Sequence, residues 1–174
     1  MLNHAPRLSS HIVTRAIVLG SALLFASHAF AASTLSPADQ SFVAKVSQGG
    51  MFEVASSKLA VEKAQAQDIK DMANTEVHDH TLVGDKLAAI ASKNGDSFPT
   101  ELNADFTQRM KDLQALSGTA FDTAYAAQMK RIHAIDGAAF AKEAKTAQNA
   151  DLKAFAAETA GIVKMHIGSW QTVR

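Results

Sequence analysis

Glu53, His80, His133 and His166 fall near the middles of four separate amphipathic stretches, each on the apolar stripe of its own segment. A carboxylate and three imidazoles are the donor types of a transition-metal site. They are equally the parts of a buried hydrogen-bond network that fixes how helices pack against one another. Glu76 lies four residues before His80, and Asp136 three after His133, so two of the histidines carry a carboxylate on or near their own face. Such carboxylates orient metal-bound imidazoles and partner merely buried ones alike.

These residues need long helices to position them, and the sequence supplies four. Ser36-Pro37-Ala38-Asp39 reads as a helix start, with a hydroxyl cap, proline in the first turn and a carboxylate near the positive end of the dipole. The first helix then runs to about Ala64 on the stripe Phe42, Val46, Gly49, Glu53, Ser57 and Ala60. Gly49-Gly50 interrupts it and predicts either a kink or the close approach of a neighbouring helix. Asp68 is the expected cap of a second helix, which continues through Ile69, Ala73, Glu76, His80, Val83, Leu87 and Ile90 to Lys93 and stops at Asn94-Gly95. A shorter connecting helix is expected from Asn103 to Leu116. Ser117-Gly118 introduces a third long helix to about Lys145, and a fourth begins near Asn149 or Asp151. No segment alternates with the period of a strand. The fold class is therefore all-α, a four-helix bundle with a short connecting helix between two hairpins.

A rise of about 1.5 Å per residue converts position along a helix into depth. Glu53 and His80 lie about 18 and 20 Å from their shared turn, and His133 and His166 differ by about one helical turn from theirs. All four can therefore share one level, whether the hairpins are joined end to end or by a crossover running the length of the bundle.

Other chemistry has weaker support. His78 and His80 are two apart, which on a helix turns them about 200° from each other. Met51, Met129 and Met165 lie near the polar set in sequence, where methionine serves more often as core filling than as a ligand. No serine occupies a nucleophile elbow, and Gly49-Gly50 lacks the strand and spacing of a nucleotide loop. Trp170 reads as the edge of the core.

The N-terminus has the pattern of a secretory signal: Arg7 and Arg15, an apolar run from Ala16 to Phe25, then Ala29-Phe30-Ala31 before Ala32. Residues 1–31 are expected to be removed, leaving residues 32–174 as one bundle domain with no membrane span, exported to the periplasm or envelope. Removal takes two of 17 basic residues and none of 17 acidic ones, a net charge of 15 minus 17, or −2. Nucleic acid is not an expected partner, because its binders concentrate basic charge. A homo-oligomer stays open. The chain has no cysteine, so disulfides and thiolate metal sites are excluded.

Several motifs occur together: Gln48-Gly49-Gly50-Met51-Phe52-Glu53-Val54, Asp79-His80-Thr81, Leu116-Ser117-Gly118-Thr119-Ala120-Phe121-Asp122, His133-Ala134-Ile135-Asp136, Leu152-Lys153-Ala154-Phe155-Ala156 and His166. In that order they resemble the bacterial domain of unknown function family numbered 4142. The resemblance spans residues 37–172 and implies a ferritin-like four-helix architecture and an exported location, with no established activity. Val77, Lys130 and Val163 stand three residues before the three histidines, where a di-iron bundle needs glutamate on two of its helices. A single ion held by Glu53, His80, His133 and His166 remains chemically open, with Glu76 and Asp136 in support and Zn, Fe, Mn or Cu as the candidates. The sequence ranks first an exported, non-enzymatic bundle that serves structure, interaction or stress. A transition-metal-binding module comes second, and a metal-dependent oxidoreductase third.

Overall fold

The computed structural model describes Met1 and residues 32–173. The expected signal peptide therefore lies, apart from Met1, outside the described residues. Five helices follow in order: α1 Pro37–Lys63, α2 Gln67–Lys93, α3 Ala104–Ala115, α4 Gly118–Thr146 and α5 Ala150–Thr172. Short polar side chains set their starts. Ser36 accepts from the amide of Asp39 at 3.1 Å, Asn103 from Phe106 at 3.0 Å and Asn149 from Leu152 at 3.0 Å, each satisfying one free donor of a first turn.

The start of α2 differs from expectation. Asp68 is not its cap; Ala66 holds that position and makes no side-chain cap. Asp122 of α4 instead ties the turn that precedes the helix, accepting from the amides of Gln65 at 3.0 Å and Ala66 at 2.8 Å. Asp39 of α1 plays the same part at the other end, taking the amides of Gln148 and Asn149 in the turn before α5. Gly95 and Gly118 adopt φ of 67° and 57°, the left-handed region that glycine enters without strain, where α2 stops and α4 begins.

α1 pairs with α2 and α4 with α5, and the two hairpins join through α1 against α4 and α2 against α5. The pairs Asp39 with the α4–α5 turn, Phe42 with Phe140, and Ser57 with Tyr125 make α1 and α4 antiparallel. Lys93 with Asp151, Lys86 with Glu158, and Glu76 with Trp170 do the same for α2 and α5. Residues 94–117 must therefore travel the length of the bundle. They cross beside α1, held by Gln48, which donates to Glu101 O and accepts from Asn103 N, and by Lys63 on Gln114 O. Of the two connections the sequence allows, the protein uses the crossover.

The core is divided. One apolar cluster gathers Phe42, Val43, Val46, Leu87, Ile90, Phe140, Leu152, Phe155 and Val163. A second gathers Phe52, Ala60, Ile69, Ala73, Leu113, Phe121, Tyr125, Met129, Ile132 and Trp170. On each long helix the polar residues Glu53, Glu76, His80, His133, Asp136 and His166 come at the changeover between the two, and all are buried. Helix α1 is continuous through Gly49-Gly50. The first glycine marks a close approach: a Cβ on Gly49 would lie 2.1 Å from Oδ2 of Asp136 in α4.

Candidate metal centre

Four donor atoms from three helices converge in the polar layer: Oε2 of Glu76 and Nε2 of His80 from α2, Nε2 of His133 from α4, and Nδ1 of His166 from α5. Glu76 and His80 are four apart, so α2 stacks them on one face. Oε2 lies 3.0 Å from His80, 3.3 Å from His133 and 3.2 Å from His166. His133 Nε2 stands 3.4 Å from His80 Nε2 and 3.1 Å from His166 Nδ1. A tetrahedral ion with bonds of about 2.0 to 2.1 Å needs edges of about 3.3 to 3.4 Å between its ligand atoms. Five of the six edges, at 3.0–3.4 Å, are close to that figure, and the sixth, between His80 and His166, is within 4.8 Å.

The far side of each ring explains why these atoms face inward. His133 Nδ1 donates to the carbonyl of Met129 at 2.8 Å, an atom that can only accept. His166 Nε2 donates to Asp79 Oδ2 at 2.8 Å, and His80 Nδ1 lies 3.2 Å from Glu53 Oε2. With those nitrogens protonated, each neutral ring turns a lone pair toward Glu76. Glu76 Oε1 accepts from the Trp170 indole at 2.6 Å. Its Oε2, though surrounded by three nitrogens, has no satisfying hydrogen bond, and Glu53 Oε1 has none either. Converging lone pairs and a carboxylate oxygen repel unless a cation or proton sits among them.

The titration of these groups follows from that crowding. Burial alone would raise Glu76, but the close approach of His133, His166 and His80 outweighs it and holds the carboxyl well below the usual carboxylate range. Burial lowers His80, with Glu76 opposing only in part. Burial would lower His166 too, yet Glu76 and Asp79 outweigh it and raise the ring above its ordinary value. In the ion-free protein its two carboxylate neighbours thus favour the protonated form of the His166 ring. Burial, then the charges of Asp136 and Glu76, push Glu53 well up. Asp136 is raised to about 6 by burial, which Lys45 and His133 offset only partly.

The three histidines expected as ligands are brought together. Glu76, expected behind them, stands in the converging group, while Glu53, expected among the ligands, stands behind His80 and at 3.4 Å from His133 Nδ1. Asp136 lies against Gly49. Asp79, Trp170 and the Met129 carbonyl complete the surroundings and escaped the sequence reading. The antiparallel register of α2 and α5, which opposes Asp79 to His166 and Glu76 to Trp170, is the signal that finds the first two. His78 is exposed while His80 is buried, so the pair shares no face.

The model of the family described as "Domain of unknown function (DUF4142)" matches residues 25–173. The chain belongs to that family. A comparison with curated proteins gives no match. Among solved structures the chain is similar to CopM in the Ag-bound form, obtained by co-crystallization, with a TM-score of 0.61 and 15% identity over 76% of this chain and 92% of that one. At that identity the likeness concerns the fold.

Proposed function

We propose that this member of the family is an exported transition-metal-binding module. Its site is closed, and its ligands are Glu76 Oε2, His80 Nε2, His133 Nε2 and His166 Nδ1. The observation that carries this reading is the convergence of four buried donors within 4.8 Å of one another, each histidine held by an acceptor on its other nitrogen. Three nitrogens and one carboxylate oxygen in that geometry suit Zn(II) best. Mg, Ca and Mn favour octahedral or higher oxygen coordination, Cu(II) and Ni(II) favour square-planar sites, and the softest ions favour sulfur. CopM was crystallised with Ag bound; the four-atom group here is formed without a thioether.

Four protein ligands leave no open position for a substrate, the mark of a structural or carrier site rather than a catalytic one. Glu53, Asp79 and the Met129 carbonyl act on the metal through the rings they orient. Export is supported by the signal pattern before Ala32, and no helix among the described residues is long and apolar enough to cross a membrane.

The test is equilibrium dialysis of the metal-free protein against buffered Zn(II), with Fe(II), Mn(II) and Cu offered separately, alongside His133→Ala. One Zn(II) per chain in the parent and almost none in the variant is expected. No stoichiometric ion from any of the four would overturn the reading.

A further inference from the structure

One ligand of the closed site also lines a cavity. A groove of about 400 Å³ runs between α1 and α2, and Gly50, Met51, Val54, His80 and Gly84 are among its lining residues. The Glu53–His80 contact fixes the register of this antiparallel hairpin and sets Gly50 opposite Gly84, about one helical turn from the site. A Cβ added to either glycine would meet nothing within 4 Å. Two helix interiors thus accept the weakening that glycine brings, and neither position needs glycine for close packing. What the two glycines create together is open space beside His80. The other edges of the layer are occupied: His133 is fully buried, and His166 is tied to Asp79 at 2.8 Å.

We propose that the α1–α2 groove is the route by which the ion enters and leaves, with His80 as its gate. The proposal rests on the metal-binding reading. Rotation of the His80 ring into the groove breaks its contact with Glu53 and opens a path to Glu76 and the other two rings. Ring closure over the arriving ion restores the 3.2 Å contact to Glu53. Met51, half-buried at the groove, narrows the passage with a flexible side chain. The route predicts a kinetic signature: filling the groove slows arrival and departure together and leaves the equilibrium alone.

Stopped-flow mixing of the metal-free protein with Co(II), read by the visible bands of tetrahedral Co(II), gives the loading rate. Stripping by excess chelator gives the release rate. Gly84→Leu is expected to slow both by about tenfold, equivalent to about 1.4 kcal/mol on the barrier, with the dissociation constant within about twofold, since RT ln 2 is only a fraction of that barrier. Gly50→Leu combined with Gly84→Leu is expected to slow both further, and Met51→Ala to speed both. Gly161→Leu, at an equally open but exposed glycine on α5, is the control and should match the parent. Circular dichroism establishes that each variant is folded, and Met51→Ala widens the groove without adding bulk. Unchanged rates in the double variant and in Met51→Ala would overturn the route, as would a weakened dissociation constant with an altered Co(II) spectrum. A parent protein that gives no tetrahedral Co(II) spectrum would instead sink the metal-binding reading itself.

Discussion

Glu76→Gln isolates the charge at the centre of the layer. The amide preserves the volume of the side chain and the oxygen that accepts the Trp170 indole proton, and removes the negative charge that three ring nitrogens surround at 3.0–3.3 Å. Breaking a buried charge pair costs about 3 to 5 kcal/mol; the lower figure applies because His166 can shed its proton when its partner is gone, so the ion-free protein should lose about 3 kcal/mol. For a bundle of this size that lowers Tm by roughly 12 °C. The pH dependence has two edges. Glu76, lowered in the fold, contributes stability that is present above the unfolded carboxylate value and lost as pH falls through its folded one. His166, raised in the fold, contributes stability that is full below the unfolded histidine value of about 6.5 and lost as pH rises through its folded value. The penalty should therefore be greatest between about pH 4.5 and 6.5 and shrink by pH 9. Urea denaturation with chelator present, at pH 5.5 and at pH 9, measures it. A variant as stable as the parent at pH 5.5, or a penalty that grows toward pH 9, would refute the reasoning.

Asp136→Asn should act in the opposite direction. A carboxyl raised from 3.8 to about 6 loses stability as pH rises through 6, and at about 1.36 kcal/mol per unit the neutral amide should gain at most about 3 kcal/mol at pH 8 and nothing below pH 4, as read by urea midpoints. The adjacent glycines should respond with opposite signs. Gly49→Ala drives a Cβ to 2.1 Å from Asp136 Oδ2 and should cost about 1 to 3 kcal/mol, whereas Gly50→Ala meets open space and should gain up to about 1 kcal/mol. Thermal melts of the two variants decide this. Asp79→Asn weakens the acceptor that orients His166 and should lower Zn(II) affinity by about 10- to 100-fold in competition titrations, leaving circular dichroism unchanged.

Much of the architecture is legible because local rules and tertiary packing agree. Ser36-Pro37-Ala38-Asp39 and Asn149 start helices where their side chains predict, Asn94-Gly95 stops one, and the spacing of apolar residues gives four long helices and a connector. Asp68 does not cap α2 because Ala66 takes that position, and the turn before the helix is tied instead by Asp122, some 56 residues further on. Gly49 was ambiguous between kink and close approach, since only the position of Asp136 on the facing helix decides it. Depth counting brought the layer together but could not distribute roles between Glu53 and Glu76. Both lie at the right level, and which carboxylate reaches the ring nitrogens depends on helix rotation and on which nitrogen each ring turns inward. Met129 O, Asp79 and Glu53 settle that orientation. These are contacts between a ring and its surroundings that a periodic pattern does not encode.

X-ray absorption at the zinc edge of the Zn(II)-loaded protein tests the central claim most directly. The account predicts one zinc per chain with four nitrogen or oxygen neighbours at about 2.0 to 2.1 Å and the outer-shell scattering of three imidazoles. A six-oxygen shell, a sulfur neighbour at about 2.3 Å, or fewer than three imidazoles would contradict it.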